Sequence, residues 1–189
     1  MYGLIHRAMR DMVLEKLGEA AWQAIEHEQA IGPGELISMT VYEDALTMRL
    51  MGAVSSALDL PMPETLHAFG RHWVNFVYKG AYGSIMNFTG SDLLTLLRNL
   101  DRMHETVRIT LPAAIVPSFA VIEQSPAAIL VEYRSEREGL EPMVEGLLQG
   151  LIARFALKAD VVPANPGQRP ARFVIHLHPA EAPVEGATA

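Results

Sequence analysis

The chain has 189 residues, half of them hydrophobic and one fifth charged, which suits one domain or two tightly joined subdomains and excludes a disordered polypeptide. A formal net charge of -7 excludes a generally basic nucleic-acid binder, and the absence of cysteine excludes disulfides, thiolate metal sites and cysteine nucleophiles. No apolar run approaches the roughly 18–20 residues of a membrane-spanning helix, and residues 1–13 interleave His6, Arg7, Arg10 and Asp11 with apolar side chains, unlike a secretory signal. The expectation is a soluble cytoplasmic protein with no nucleic-acid or membrane partner.

In chain order, Ile5, Ala8, Met9, Met12, Val13 and Lys16 recur at three and four, predicting an amphipathic helix over 2–17 that ends at Gly18. A second helix follows over 19–29 with Trp22 and Ile25, then a turn at 31–34. A third helix spans about 42–58, and Pro61 and Pro63 separate it from a fourth that opens at Glu64 and runs to Lys79. Residues 80–90 read as a loop. Ser91 is the expected cap of the longest helix, which carries Leu93, Leu97, Leu100, His104 and Val107. Pro112 and Pro117 bracket a segment that cannot be helical. Strands are expected at 119–123 and 128–134 about a turn at 124–126, a helix at 141–157, and further strands at 161–162 and 172–178. Ten methionines suit the irregular apolar space around a bulky ligand, or serve as ordinary core filler.

Two features carry chemistry. His104 shares a helical face with Leu97 and Leu100; such a histidine is more often a core residue than a ligand, and the Asp101–His104 pair reads equally as half of a metal site or a surface pair. If the strand that starts at Ala128 continues, Tyr133, Ser135 and Arg137 project from one side of it. That row of a phenol, a hydroxyl and a guanidinium suits a carboxylate or phosphate, with charge-assisted bonds worth about 1.5–3 kcal/mol each. The bland alternative is a solvated strand end beside Glu132, Glu136 and Glu138. A flat apolar dianion with a metal at its centre needs both features, a neutral imidazole and a set of donors. Haem is that object.

In these residues the sequence resembles the haem–nitric oxide/oxygen binding (H-NOX) family. The likeness rests on the opening Met1-Tyr2-Gly3-Leu4-Ile5, the helical His104, Pro117 further along, and Tyr-x-Ser-x-Arg at 133–137, and it covers about residues 1–178. It implies an α+β fold in which a helical distal subdomain (about 1–60) closes over a proximal subdomain (about 61–178) with a four-stranded antiparallel sheet, haem b lying non-covalently between them; 179–189 would be a flexible tail. By the same resemblance His104 is the axial ligand of the iron, and Tyr133, Ser135 and Arg137 hold the propionates. Pro117 and Ile5 press on the haem and bend it. Leu97, Leu100 and Met103 line the proximal side, and Met9, Trp73, Val77, Met143 and Leu147 the distal side.

Oxygen on ferrous haem carries partial negative charge and wants a distal donor, whereas nitric oxide carries much less. Oxygen-binding members supply a tyrosine from the helix after the motif. Here the tyrosines stand at 2, 42, 78, 82 and 133, and the matching position falls on Pro142 or Met143. The resemblance therefore implies a nitric oxide and carbon monoxide sensor that excludes oxygen, with His72 and Trp73 the donors that bear on that exclusion. Release of His104 would free its helix and let the subdomains shift. No Walker loop, Gly-Gly-Asp-Glu-Phe-like stretch or kinase signature marks an output enzyme, so the partner implied is a separate protein, in similar bacterial members a histidine kinase or a cyclic-di-GMP enzyme. The chain is then not an enzyme. Two other readings stand beside this one: a haem-free module using Arg137 and Tyr133 for a lipid or organic acid, and a peroxidase-like haem enzyme with His72 as its distal base.

Overall fold

The computed structural model describes residues 1–32 and 34–179, so the tail expected over 179–189 lies, but for Pro179, outside the described residues. Seven helices precede and interrupt a four-stranded sheet: α1 (Gly3–Leu17), α2 (Glu19–Glu28), α3 (Asp44–Leu58), α4 (Met62–Lys79), α5 (Gly83–Thr89), α6 (Leu93–Thr110), β1 (Ser118–Gln124), β2 (Ala128–Arg134), α7 (Glu141–Arg154), β3 (Ala159–Pro163) and β4 (Ala171–Leu177). The sheet order is β1-β2-β4-β3 with every neighbouring pair antiparallel. This is the expected α+β architecture.

Local chemistry sets most boundaries. Asp59 closes α3 in the left-handed region (φ 53°), and Pro61 stands at the N-cap of α4 with Pro63 inside its first turn. Three expectations are corrected. The stretch at 80–90 contains α5; seven residues are too few to display a helical period. The cap of α6 is Asp92 rather than Ser91, because the Asp92 carboxylate accepts from the Thr95 N–H at 2.9 Å. And β2 stops at Arg134. Beyond it the Ser135 hydroxyl accepts from the Arg137 N–H at 3.0 Å and Gly139 takes φ +73°, so the backbone turns instead of running on as a strand.

Apolar side chains gather into two clusters. One joins α1, α2 and α3 through Met9, Met12, Val13, Trp22, Leu50 and Val54, with Leu66 and Phe69 from α4. The other lies between the sheet, α6 and α7, built on Leu96, Leu97, Val131, Leu148, Phe173 and Ile175, with Val74 from α4. α4 therefore contributes to both. Its contact with α7 is close because glycines remove side chains from the interface. A Cβ on Gly146 would stand 2.0 Å from the His67 carbonyl oxygen, and one on Gly70 would stand 2.1 Å from that of Met143.

Two polar residues are more deeply placed than their surroundings in the sequence imply. Glu132 is 2 % exposed, held by Arg134 and by Arg172 across the β2–β4 pair, whereas Glu136 and Glu138 beyond the strand end are exposed. His6 is fully buried on α1, bonded through Nε2 to Thr47 Oγ1 at 2.8 Å; burial pulls its imidazole down to about 4, leaving it neutral.

Candidate functional site

His104 sits on the fourth turn of α6, facing the start of β1. Its Nδ1 lies 2.9 Å from the Pro117 carbonyl oxygen, a group with only lone pairs to offer, so Nδ1 carries the hydrogen and donates it. That fixes the tautomer. Nε2 then presents a bare lone pair, and it has no hydrogen-bond partner among the described residues. Burial lowers the ring below the ordinary histidine value, against the opposing influence of the Pro117 carbonyl, and so keeps it neutral. A neutral imidazole held by a backbone carbonyl through its other nitrogen is the form in which histidine ligates a metal. The Asp101 carboxylate is engaged elsewhere: it accepts from Ser118 Oγ and from the Phe119 N–H, each at 2.6 Å, and staples α6 to β1.

The second feature lies beyond Phe119. The His104 and Phe119 rings stand 6.1 Å apart and the Phe119 and Tyr133 rings 5.3 Å, an aromatic row that runs from the imidazole toward the motif. Although β2 ends early, the turn after it still brings Tyr133, Ser135 and Arg137 to one cavity of about 320 Å³, together with Arg134, Glu141, Arg169 and Pro170. Burial raises the Tyr133 phenol above its usual value, so it remains a donor.

Arg137 is committed in a way the sequence did not signal. Its Nε donates to Asp44 Oδ2 at 2.6 Å and its Nη2 to Asp44 Oδ1 at 3.0 Å, while Nη1 donates to the Ile115 carbonyl at 2.7 Å. Two of the five guanidinium N–H bonds remain. Asp44 opens α3, so this bidentate pair bridges the helical cluster and the sheet side of the molecule. Arg137 in turn holds the Asp44 carboxyl below the usual carboxylate range. Ninety-three positions separate the two residues, and no local pattern marks them as partners.

The remaining candidate residues divide between the two clusters. Leu97 and Leu100 are buried in the sheet cluster, with Met103 and Leu147 at its margin. Met9 is fully buried in the helical cluster, and Ile5, Trp73 and Met143 pack against it. Val77 is buried on α4, and Pro117 is half-buried just before β1. Trp73 lies between Phe69 and Phe76, with ring centroids at 6.3 and 6.1 Å. His72 points elsewhere. Its Nε2 lies 3.0 Å from Asp11 Oδ2 in a solvent-facing hollow between α1 and α4, which takes from the peroxidase-like reading its distal base.

The profile of the haem-NO-binding family matches residues 2–162. The chain belongs to that family. Haem-NO-binding (H-NOX) domains are haem-based gas sensors and not catalysts. Among curated relatives, the soluble guanylate cyclase gcy-35 of Caenorhabditis elegans is 27 % identical over 165 residues, which cover 86 % of this chain and 24 % of that protein. The chain spans about a quarter of the length of the curated relatives it matches. A variant of an H-NOX protein from S. oneidensis in the Fe(II) state superimposes with a TM-score of 0.84 at 22 % identity, covering 96 % of this chain and 98 % of that one. The S. oneidensis protein in its Fe(II)NO state gives 0.83 at 21 %, covering 95 % and 100 %. The H-NOX fold thus accounts for the whole described arrangement of seven helices and four strands.

Proposed function

We propose that this chain holds haem b non-covalently through His104, senses nitric oxide, binds carbon monoxide as well, and excludes oxygen. The observation that carries this reading is the His104 ring, with Nδ1 spent on Pro117 and Nε2 free. Haem bound there would supply a ferrous iron able to take a diatomic gas, and His104 would hold it. Tyr133, Ser135 and Arg137 would receive the propionates, while Asp44 ties the Arg137 guanidinium to α3. Pro117 and Ile5 bear on the two haem faces, Leu97, Leu100 and Met103 wall the proximal side, and Met9, Trp73, Val77, Met143 and Leu147 wall the distal side.

Oxygen exclusion is supported by α7, whose Met143, Val144, Leu147 and Leu148 carry no hydrogen-bond donor, and Trp73 is the donor that remains on the proposed distal side. Haem held by His104 would link gas binding to α6, the helix that carries this residue, and α4, shared by both clusters, would be the element about which they could shift. The signal passes to a separate cytoplasmic protein, a histidine kinase or a cyclic-di-GMP enzyme.

The visible spectrum of the purified protein tests the assignment. A red protein whose ferrous form takes nitric oxide and carbon monoxide and shows no stable oxygen complex in air supports it. A protein that stays colourless with added haem supports the haem-free module instead. Met143→Tyr places a phenol on the distal wall and is expected to give a measurable oxygen complex; an unchanged spectrum in air would move the distal assignment off α7.

The propionate assignment predicts a graded haem loss. Arg137→Ala removes one or more charge-assisted bonds of about 1.5–3 kcal/mol, so haem affinity should fall roughly 10- to 100-fold. Glu136→Ala, on an exposed residue beside it, should leave affinity unchanged. Asp44→Ala separates the two roles of the arginine: it abolishes the bridge yet leaves the guanidinium free, so haem should be retained. Equal losses in Arg137→Ala and Asp44→Ala would mean that the arginine serves only the bridge.

A further inference from the structure

The hollow between α1 and α4 that receives His72 is lined by none of the residues proposed to contact haem, and its side chains form a ligand set. Asp11 and Glu15 lie one turn apart on α1 and project the same way. His72, on α4, reaches between them with Nε2 3.0 Å from Asp11 Oδ2 and Nδ1 3.5 Å from Glu15 Oε2. One ligand atom from each of the three falls within 4.8 Å of the other two, a combination found nowhere else among the described residues. Atoms held about 2.0–2.2 Å from one ion stand within roughly 4 Å of each other, and because an ion takes one ring nitrogen, the carboxylate now beside the other nitrogen rotates toward it to close the set. Both carboxylates are exposed and free to make them.

The imidazole is preorganised where the carboxylates are not. Its side chain is 9 % exposed and its ring stacks on Phe76 at 6.5 Å with 28° between planes. The hollow holds about 240 Å³ and is bordered by Asn75, Lys79 and Gly80, leaving room for water to complete a coordination shell. Lys79 at this border and Lys16 on α1 are the positive charges that an incoming cation meets, set against two carboxylates.

We propose that Asp11, Glu15 and His72 bind a divalent transition-metal ion of the zinc class and that the ion ties α1 to α4. One nitrogen and two carboxylates suit zinc or its first-row neighbours, whereas the all-oxygen sets that magnesium and calcium prefer have no place for the imidazole. The ion replaces a hydrogen-bonded contact between the helices by coordinate bonds. It thereby stiffens the junction between the helix that carries Ile5 and the helix shared by both clusters.

The test is zinc uptake by the haem-loaded protein after removal of loosely held metal, with zinc and iron counted separately by mass spectrometry and binding followed by calorimetry. One zinc per chain is expected, with a rise in melting temperature on zinc addition. Both should vanish in His72→Gln and in the Asp11→Asn/Glu15→Gln double variant. Losing a direct ligand should cost more than the ~10–100-fold that a change in an outer-shell partner costs. Asp160→Asn, which disrupts the exposed His178–Asp160 pair, should change nothing. The proposal is overturned by no zinc uptake, by uptake undiminished in His72→Gln, by uptake lost only in Asp160→Asn, or by magnesium bound as tightly as zinc. Because His104→Ala lacks the proposed haem ligand yet retains this hollow, zinc binding in that variant reads the site independently of the haem assignment.

Discussion

His104→Ala is expected to leave the protein colourless, with haem and its gas complexes restored when free imidazole is supplied. The substitution removes the Nε2 lone pair, which has no hydrogen-bond partner among the described residues. The fold should survive it. Alanine is the strongest helix former, so α6 gains in propensity what it loses in packing, and the lost bond to Pro117 costs about 0.5–1.5 kcal/mol. Absorbance of the haem band per mole of protein, read beside far-ultraviolet circular dichroism, separates loss of ligand from loss of fold. Normal haem content without imidazole would remove His104 from the iron.

Gly146→Ala should destabilise the protein by about 3 kcal/mol, near the upper end of what overpacking costs. The added methyl would stand 2.0 Å from the His67 carbonyl oxygen and 2.8 Å from its carbon, both backbone atoms that cannot rotate aside. At roughly 2–4 °C per kcal/mol for a chain of this size, the melting temperature should fall by about 6–12 °C. Gly52→Ala, also inside a helix, is the contrast. A Cβ there meets nothing within 4 Å, so the same chemical change should stabilise by about 0.4–1 kcal/mol. Equal shifts in the two variants would mean that α4 and α7 can separate at no cost.

What the sequence disclosed was what depends on short spacing. The helical face of Leu97, Leu100 and His104, the break at Pro117 and the β2 run into Tyr133 are each set within a few residues, and the structure keeps them. α5 escaped notice because it lies among turn-forming residues and is too short to reveal a period. The continued strand failed because alternation says which side a residue faces and not where pairing stops; a hydroxyl and a glycine ended it. Arg137 was legible as an anion donor, but its partner Asp44 was not, since nothing in a sequence announces a contact between such distant positions. The sequence marks His72 only as a distal donor. Its carboxylate neighbours sit on another helix, and only the packing of α1 on α4 brings them to it.

The Asp101 staple makes the first strand a passenger of the ligand helix. Asp101 sits one turn before His104, and its carboxylate grips the Phe119 amide on β1, the outermost strand on its side of the sheet. Any displacement of α6 must stretch that grip or drag the edge strand along, so a single amide hydrogen stands as a tell-tale for what the imidazole is doing.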